Sequence, residues 1–152
     1  MVRVREAQPE EMARVEGFYR EADYSGGVNP SDRLVIAEAD NTLLGSCRLC
    51  DEEGVLVLRG MRVKQEAQRQ GIGTAMLRSA EKIMAGRACY CIPYRHLSSF
   101  YAHVGFKEIA PHQAPEFLRH RLKQYRQTLR LDVIIMWRDH GSLAAAPESG
   151  AR

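Results

Sequence analysis

Apolar positions change their period several times along the chain, and each change marks an element. Val2-Arg3-Val4-Arg5 alternates with a period of two, as a short half-buried strand does. Beyond Pro9 the spacing lengthens. Met12, Val15, Phe18, Tyr19 and Ala22 fall on one helical face, and the acids of the first turn suit the positive end of a helix dipole. Residues 25–32, SGGVNPSD, have the composition of a loop. Leu34–Ala39 and Leu43–Leu49 read as strands about the turn Asp40-Asn41-Thr42, a hairpin. After an acidic turn at Asp51–Gly54, a further strand runs from Val55 through Met61 to Val63. Gly60 inside it marks a bulge or a close backbone approach.

The second half is patterned differently. Met76, Leu77, Ala80, Ile83 and Met84 recur at helical spacing, with Gly86 as the expected C-cap and Lys82 and Arg87 near the negative end of the dipole. Ala88–Ile92 is a strand stopped by Pro93. Residues 96–106, HLSSFYAHVGF, predict a short helix closed by Gly105, followed by a strand at Phe106–Ile109. Pro111 and Pro115 bracket a break, and Leu118, Leu122, Tyr125 and Leu129 then form the stripe of an amphipathic helix. Val133–Arg138 is the last strand. The tail, 139–152, has no periodicity and is expected to be disordered. Hairpin strands first and crossover helices later predict an α/β (α+β) chain: a mixed sheet with helices on both faces, in a single domain over 1–138.

Composition narrows the class without naming a function. At 45% hydrophobic and 27% charged residues, the 152-residue chain reads as a globule able to bury a core without staples. No apolar run approaches the span of a bilayer, and MVRVREAQPEE lacks the apolar core of a signal peptide. A cytoplasmic location with no membrane partner is therefore expected. Cys47, Cys50, Cys89 and Cys91 make a C-x-x-C and a C-x-C, which raises a zinc site. In a strand, however, residues three apart point to opposite faces, and cysteine is a common small core residue. The reading adopted is buried thiols and no metal.

Charge is concentrated between 116 and 130, where Arg119, Arg121, Lys123, Arg126 and Arg130 stand against Glu116. Its stripe packs inward while Arg119, Arg126 and Arg130 are expected to face outward. A nucleic-acid site would want a broader basic surface with stacking aromatics, so a solvated helix face is the expectation there.

The chemistry lies in EAQRQGIGTAML, residues 66–77. Gly71 and Gly73 stand where a helix begins. A helix N-terminus has unpartnered N–H groups and a positive dipole end, and the absence of side chains lets an anion approach them. Thr74 adds a hydroxyl and Arg69 a counter-charge. A Rossmann fingerprint would need a third glycine where Met76 stands, and a P-loop would need a lysine after its second glycine. Neither fits.

Gln68-x-x-Gly71-x-Gly73, after a strand ending Met61-Arg62-Val63 and before an amphipathic helix, resembles the acetyl-CoA-binding motif of the GNAT superfamily of N-acetyltransferases. Ser98-Ser99-Phe100-Tyr101-Ala102-His103-Val104-Gly105-Phe106 is similar to that superfamily's later helix-to-strand motif. The two together cover about residues 55–110. The resemblance implies a mostly antiparallel central sheet with parallel strands splayed at the cofactor site; its last two strands are joined by a short turn in most relatives, so the helix at about 114–130 reads as an insertion between them. It implies acetyl-CoA as co-substrate, an amine of a small molecule, amino acid or peptide as acceptor, and direct transfer between them. Backbone N–H groups of Gln68, Arg69, Gln70, Gly71, Ile72, Gly73 and Thr74 would hold the pyrophosphate. The main chain of Met61, Arg62 and Val63 would pair with the pantetheine arm, and Leu97, Phe100 and Tyr101 would line its far side. Tyr101 matches the tyrosine that protonates the departing thiolate.

By the same analogy the acceptor would contact Arg20, Asp23 and Tyr24 and the loop 25–32; for the basic helix, an acidic acceptor or the cofactor's 3′-phosphate stays open beside the solvated face. A second copy of the chain is an admissible partner, as a homodimer. Two positions depart from the pattern: Tyr94 stands where relatives often have asparagine, and Val57 about where histone-type members carry a glutamate base. With Val57 unable to take a proton, His96, Glu38 and Asp23 are the titratable candidates, beside a water chain to bulk. The missing base also sustains an alternative, a non-catalytic acyl-CoA-binding or sensing domain. A metal-dependent DNA-binding module built on the cysteines and the basic helix is the more distant rival.

Overall fold

The structure, a computed structural model, describes residues 1–139. The expected disorder of 139–152 therefore falls, apart from Asp139, outside the described residues. Two compact units divide the chain, Met1–Ala85 and the part from Gly86 onward.

The first unit is a four-stranded antiparallel sheet in the order β1 (Arg3–Glu6), β2 (Arg33–Ala39), β3 (Thr42–Glu52), β4 (Val55–Val63). Both hairpins turn on pairs of left-handed residues, Asp40-Asn41 at φ 52 and 65 and Glu53-Gly54 at φ 51 and 85. Such pairs match the twist of the strands they join, so β3 extends to the turn instead of stopping at Leu49. Helix α1 (Met12–Glu21) covers one face, where Val15, Phe18 and Tyr19 pack with Leu34, Ile36 and Leu43. Val35 and Ala37, pointing the other way along β2, are equally buried, and helix α2 (Ile72–Met84) contacts all four strands on that side. At Gly45 an added Cβ would meet the Arg62 carbonyl at 2.9 Å and Met76 at 3.1 Å, so α2 approaches β3 as closely as a missing side chain permits. Arg5 and Arg14 each bind Glu11 and Glu38, tying β1 and β2 to the start of α1.

The second unit has three short antiparallel strands, β5 (Cys89–Cys91), β6 (Lys107–Glu108) and β7 (Met136–Arg138), in the order β5-β7-β6. Helix α3 (Ser98–Ala102) precedes β6 and is closed by Gly105 at φ 92; helix α4 (Glu116–Gln127) is inserted between β6 and β7. Two expectations for α4 are corrected. The helix stops at Gln127, with Arg130 left-handed at φ 57, so Leu129 falls off the apolar stripe and is 55% exposed, while Leu118 and Leu122 are buried. Arg119 is half-buried where an outward position is expected, while Arg126 is exposed as expected. Their guanidinium groups donate to the carbonyls of Ala114 and Val133, satisfying backbone acceptors beside the helix.

All four cysteines are buried; burial pushes Cys50 up to about 12 and holds Cys91 well above its ordinary value. Among the described residues no group of three or more His, Cys, Asp or Glu could hold a metal ion, and no helix is long and apolar enough to cross a membrane.

Candidate functional site

In the first unit, β4, the turn after it and the start of α2 place the residues singled out for cofactor binding. The expected bulge is present. Arg59 pairs with Arg48 and Arg62 with Ser46, so Gly60 and Met61 together oppose Cys47 alone. Gly60 is left-handed at φ 69, and a Cβ there would lie 2.9 Å from the Tyr19 hydroxyl and 3.2 Å from Arg48 and from Tyr24. The carbonyls around the bulge are held by side-chain donors: Tyr19 on Gly60 at 2.8 Å, Arg62 on Met61 at 3.2 Å, and Gln68 on Val63 at 3.1 Å. Gln68 thus has a side-chain role beyond the backbone role expected of it.

After β4 the chain makes one 3₁₀ turn, Gln65–Ala67, and enters α2 through two left-handed residues, Arg69 at φ 65 and Gly71 at φ 80. Gly71 is the N-cap of α2, and no side chain caps the helix. The N–H groups of its first turn, Ile72, Gly73 and Thr74, therefore keep no intrahelical acceptor. A Cβ built at Gly71 would meet nothing within 4 Å, so this end of the helix is open. Ile72 is the exception to an exposed cradle: its side chain is buried and anchors the first turn to the core. Open N–H groups, a helix dipole, the Thr74 hydroxyl and an exposed Arg69 fit a pyrophosphate.

A cleft of about 450 Å³ opens between the end of α1 and the residues just after it, with Phe18, Glu21 and Asp23, and the end of β4 and the turn that follows, with Arg62, Lys64 and Glu66. Behind Gly60 lies a polar cluster that periodicity alone does not reveal. Arg48 is fully buried; its Nε donates to Asp32 at 2.9 Å and its Nη1 to the Tyr24 hydroxyl at 2.5 Å. Burial works against the Arg48 charge, but Cys50, Tyr24 and Asp32 outweigh it and its pKa is raised. Burial likewise raises the Tyr19 phenol well above its ordinary range, so Tyr19 stays a donor to Gly60.

In the second unit Tyr101 is buried, edge-on to Phe100 at 4.9 Å and to Phe106 at 6.1 Å. Leu97 and Phe100 are half-buried on the same short helical segment. Tyr94 is 41% exposed and stacks on exposed His96.

The candidate bases differ in what holds them. Glu38 is bound by Arg5 and Arg14, and the Arg5 hydrogen bond lowers its pKa. It serves the fold. Asp23, left-handed at φ 58, lines the cleft. Val57 is buried apolar core.

Comparison with known proteins gives these features a context. A family model described as an acetyltransferase (GNAT) domain matches residues 30–108. Among curated proteins none matches significantly. Solved structures do. The GNAT-type neighbours include N-acetylglutamate synthase from Neisseria gonorrhoeae, complexed with coenzyme A and N-acetyl-glutamate, at 19% identity and a TM-score of 0.67 over 91% of this chain. This chain spans only 35% of that protein. Rv2747 from Mycobacterium tuberculosis, in complex with CoA, matches at 15% identity and a TM-score of 0.65, covering 90% of this chain and 98% of its own. PaiA N-acetyltransferase from Thermoplasma acidophilum, in complex with coenzyme A, matches at 20% identity and a TM-score of 0.59, covering 91% and 99%. At these identities the likeness is one of fold: a mixed, mostly antiparallel sheet flanked by helices.

Proposed function

The chain belongs to the GNAT acetyltransferase family, and from that premise we propose that residues 1–138 act as one acetyl-CoA-dependent N-acetyltransferase domain. The acetyl group passes directly to an amine of a small molecule, amino acid or peptide. The observation that carries the reading is the uncapped start of α2, entered through left-handed Arg69 and Gly71 immediately after a strand bulged at Gly60. That sequence of features is built to hold a diphosphate at the helix end while the strand edge meets an extended arm.

When bound, acetyl-CoA supplies the activated acyl group as a thioester. The protein's own part is to orient and to move protons. The backbone N–H groups from Gln68 to Thr74 hold the diphosphate. The main chain of Met61, Arg62 and Val63 aligns the arm, with Leu97, Phe100 and Tyr101 as its apolar lining. The Tyr101 phenol donates its proton to the departing sulfur. With Val57 in the place of a base and Glu38 occupied, the amine loses its proton to Asp23 or to water in the cleft.

The alternative, a non-catalytic acyl-CoA sensor, draws on Val57 alone. Thiol release from acetyl-CoA across a panel of amines, amino acids and peptides separates the two. Acceptor-dependent release is expected. A chain that acetyl-CoA stabilises against heat but that releases no thiol with any acceptor would be the sensor. One that acetyl-CoA does not stabilise would be neither.

A further inference from the structure

Arg62 differs from its neighbours in having no counter-charge. Every other buried or half-buried arginine of the first unit is ion-paired: Arg5 and Arg14 to Glu11 and Glu38, Arg48 to Asp32, Arg59 to Glu52. Arg62 instead lies over the Tyr24 ring at 5.1 Å and donates one bond to the Met61 carbonyl, with no carboxylate on it among the described residues.

The groups beneath it also have donors to spare. The Tyr24 hydroxyl accepts from Arg48 Nη1, and no acceptor takes its own proton among the described residues. Arg48 Nη2 is buried without a hydrogen-bond partner. Asp32, the carboxylate on Arg48, already accepts from Arg48 Nε and from the Asn29 backbone N–H on the same oxygen. Among the described residues Arg62 thus brings a guanidinium without a carboxylate on it, and Arg48 and Tyr24 bring unused donors behind it; surplus charged donors beside a cleft are the chemistry that receives a carboxylate. The cleft that Arg62 lines has acids, Glu21 and Asp23, on its opposite wall, and both Lys64 and Glu66 on its own. Its volume is that of a small-molecule site.

Resting on the acetyltransferase reading, we propose that the acceptor is a free amino acid or a close analogue. Its carboxylate binds Arg62, and its amine lies toward the Asp23 and Glu21 wall. Arg62 is the specificity residue. Tyr24 and Arg48 are positioning residues: Arg48, fixed by Asp32, holds the Tyr24 ring on which the Arg62 guanidinium stacks.

The test is calorimetric and independent of turnover. N-acetyl-L-amino acids and the matching N-acetyl-L-amino amides are titrated into the protein saturated with CoA. At least one acid is expected to bind about tenfold or more tightly than its amide, the worth of a charge-assisted contact. Arg62→Gln and Tyr24→Phe should each lower that acid-to-amide ratio, whereas loss of mere structural support would weaken both members of a pair alike. Amides that bind as well as acids, a ratio that survives both substitutions, or no binding by either series overturns the proposal. If CoA itself does not bind, the acetyltransferase reading fails separately. The titration is then repeated on the free protein, where the absence of an acid preference overturns the carboxylate site as well.

Discussion

The Tyr19 hydroxyl donates to the Gly60 carbonyl at 2.8 Å, joining the last turn of α1 to the left-handed residue inside β4. The bulge is thus held from outside its own hairpin, and its geometry depends on a glycine that leaves room for the phenol. Gly60→Ala would place a Cβ 2.9 Å from that hydroxyl in a conformation that L-residues disfavour. We expect it to cost about 1–3 kcal/mol in urea unfolding. Tyr19→Phe, which loses one hydrogen bond, should cost about 1 kcal/mol. Because the phenyl ring relieves part of the clash, the double variant should be less destabilised than the sum of the two. Strict additivity would show that the Tyr19 contact is not what excludes a side chain at position 60.

Gly71 and Gly54 allow strain and binding to be told apart. Both are left-handed, at φ 80 and 85, and at neither would a Cβ meet an atom within 4 Å. Alanine at either site should therefore destabilise the fold to a similar extent, about 1 kcal/mol. Only Gly71→Ala alters the backbone at the uncapped start of α2, so it alone should weaken acetyl-CoA, with Gly54→Ala binding as the parent does. Equal affinities for the two variants, measured by calorimetry, would remove the helix start from the cofactor site.

Much of this arrangement is legible in the residues because the signals are local. The turn at Asp40-Asn41, the glycine inside β4 and Gly71 before α2 each demand a backbone conformation that few other residues accept. What is not legible depends on distance along the chain. Arg48, read in its strand as Cys47-Arg48-Leu49, looks like the exposed partner of an alternating pair. It is buried because Asp32 and Tyr24 arrive from the loop 16 and 24 residues away to neutralise it and cover it. Leu129 misleads in the opposite sense. Its spacing continues the α4 stripe, but the helix has ended at Gln127 and the Leu131 N–H turns back to the Tyr125 carbonyl.

Alkali should loosen the first unit in a way that identifies Cys50. Burial pushes this thiol from 9.0 to about 12, so its folded pKa lies above its unfolded one. The stability it lends is complete below pH 9 and is lost as the pH climbs toward 12, because the unfolded chain gives up the proton first. Urea midpoints should fall between pH 9 and 11, and Cys50→Ala should flatten part of that slope relative to the parent. The Tyr19 phenol, also raised by burial, contributes a fall of the same sign that persists in the variant. Identical slopes for parent and variant would mean that Cys50 does not titrate with unfolding.

Tyr101 sits with its ring edge-on to Phe100 and Phe106, so Tyr101→Phe keeps the packing and removes only the hydroxyl. If that phenol donates its proton to the departing thiolate, the variant should hold acetyl-CoA with nearly parental affinity. Its kcat should fall by about 10²-fold or more, the usual loss when a general acid is removed. A tyrosine that only supports the core would give a different result: a lower melting temperature with kcat little changed. Stopped-flow measurement of the chemical step, with acceptor saturating, separates the two, since slow product release would otherwise mask the effect in steady-state turnover. An unaltered chemical rate in the phenylalanine variant would leave the leaving sulfur to be protonated by solvent and reduce Tyr101 to a packing residue.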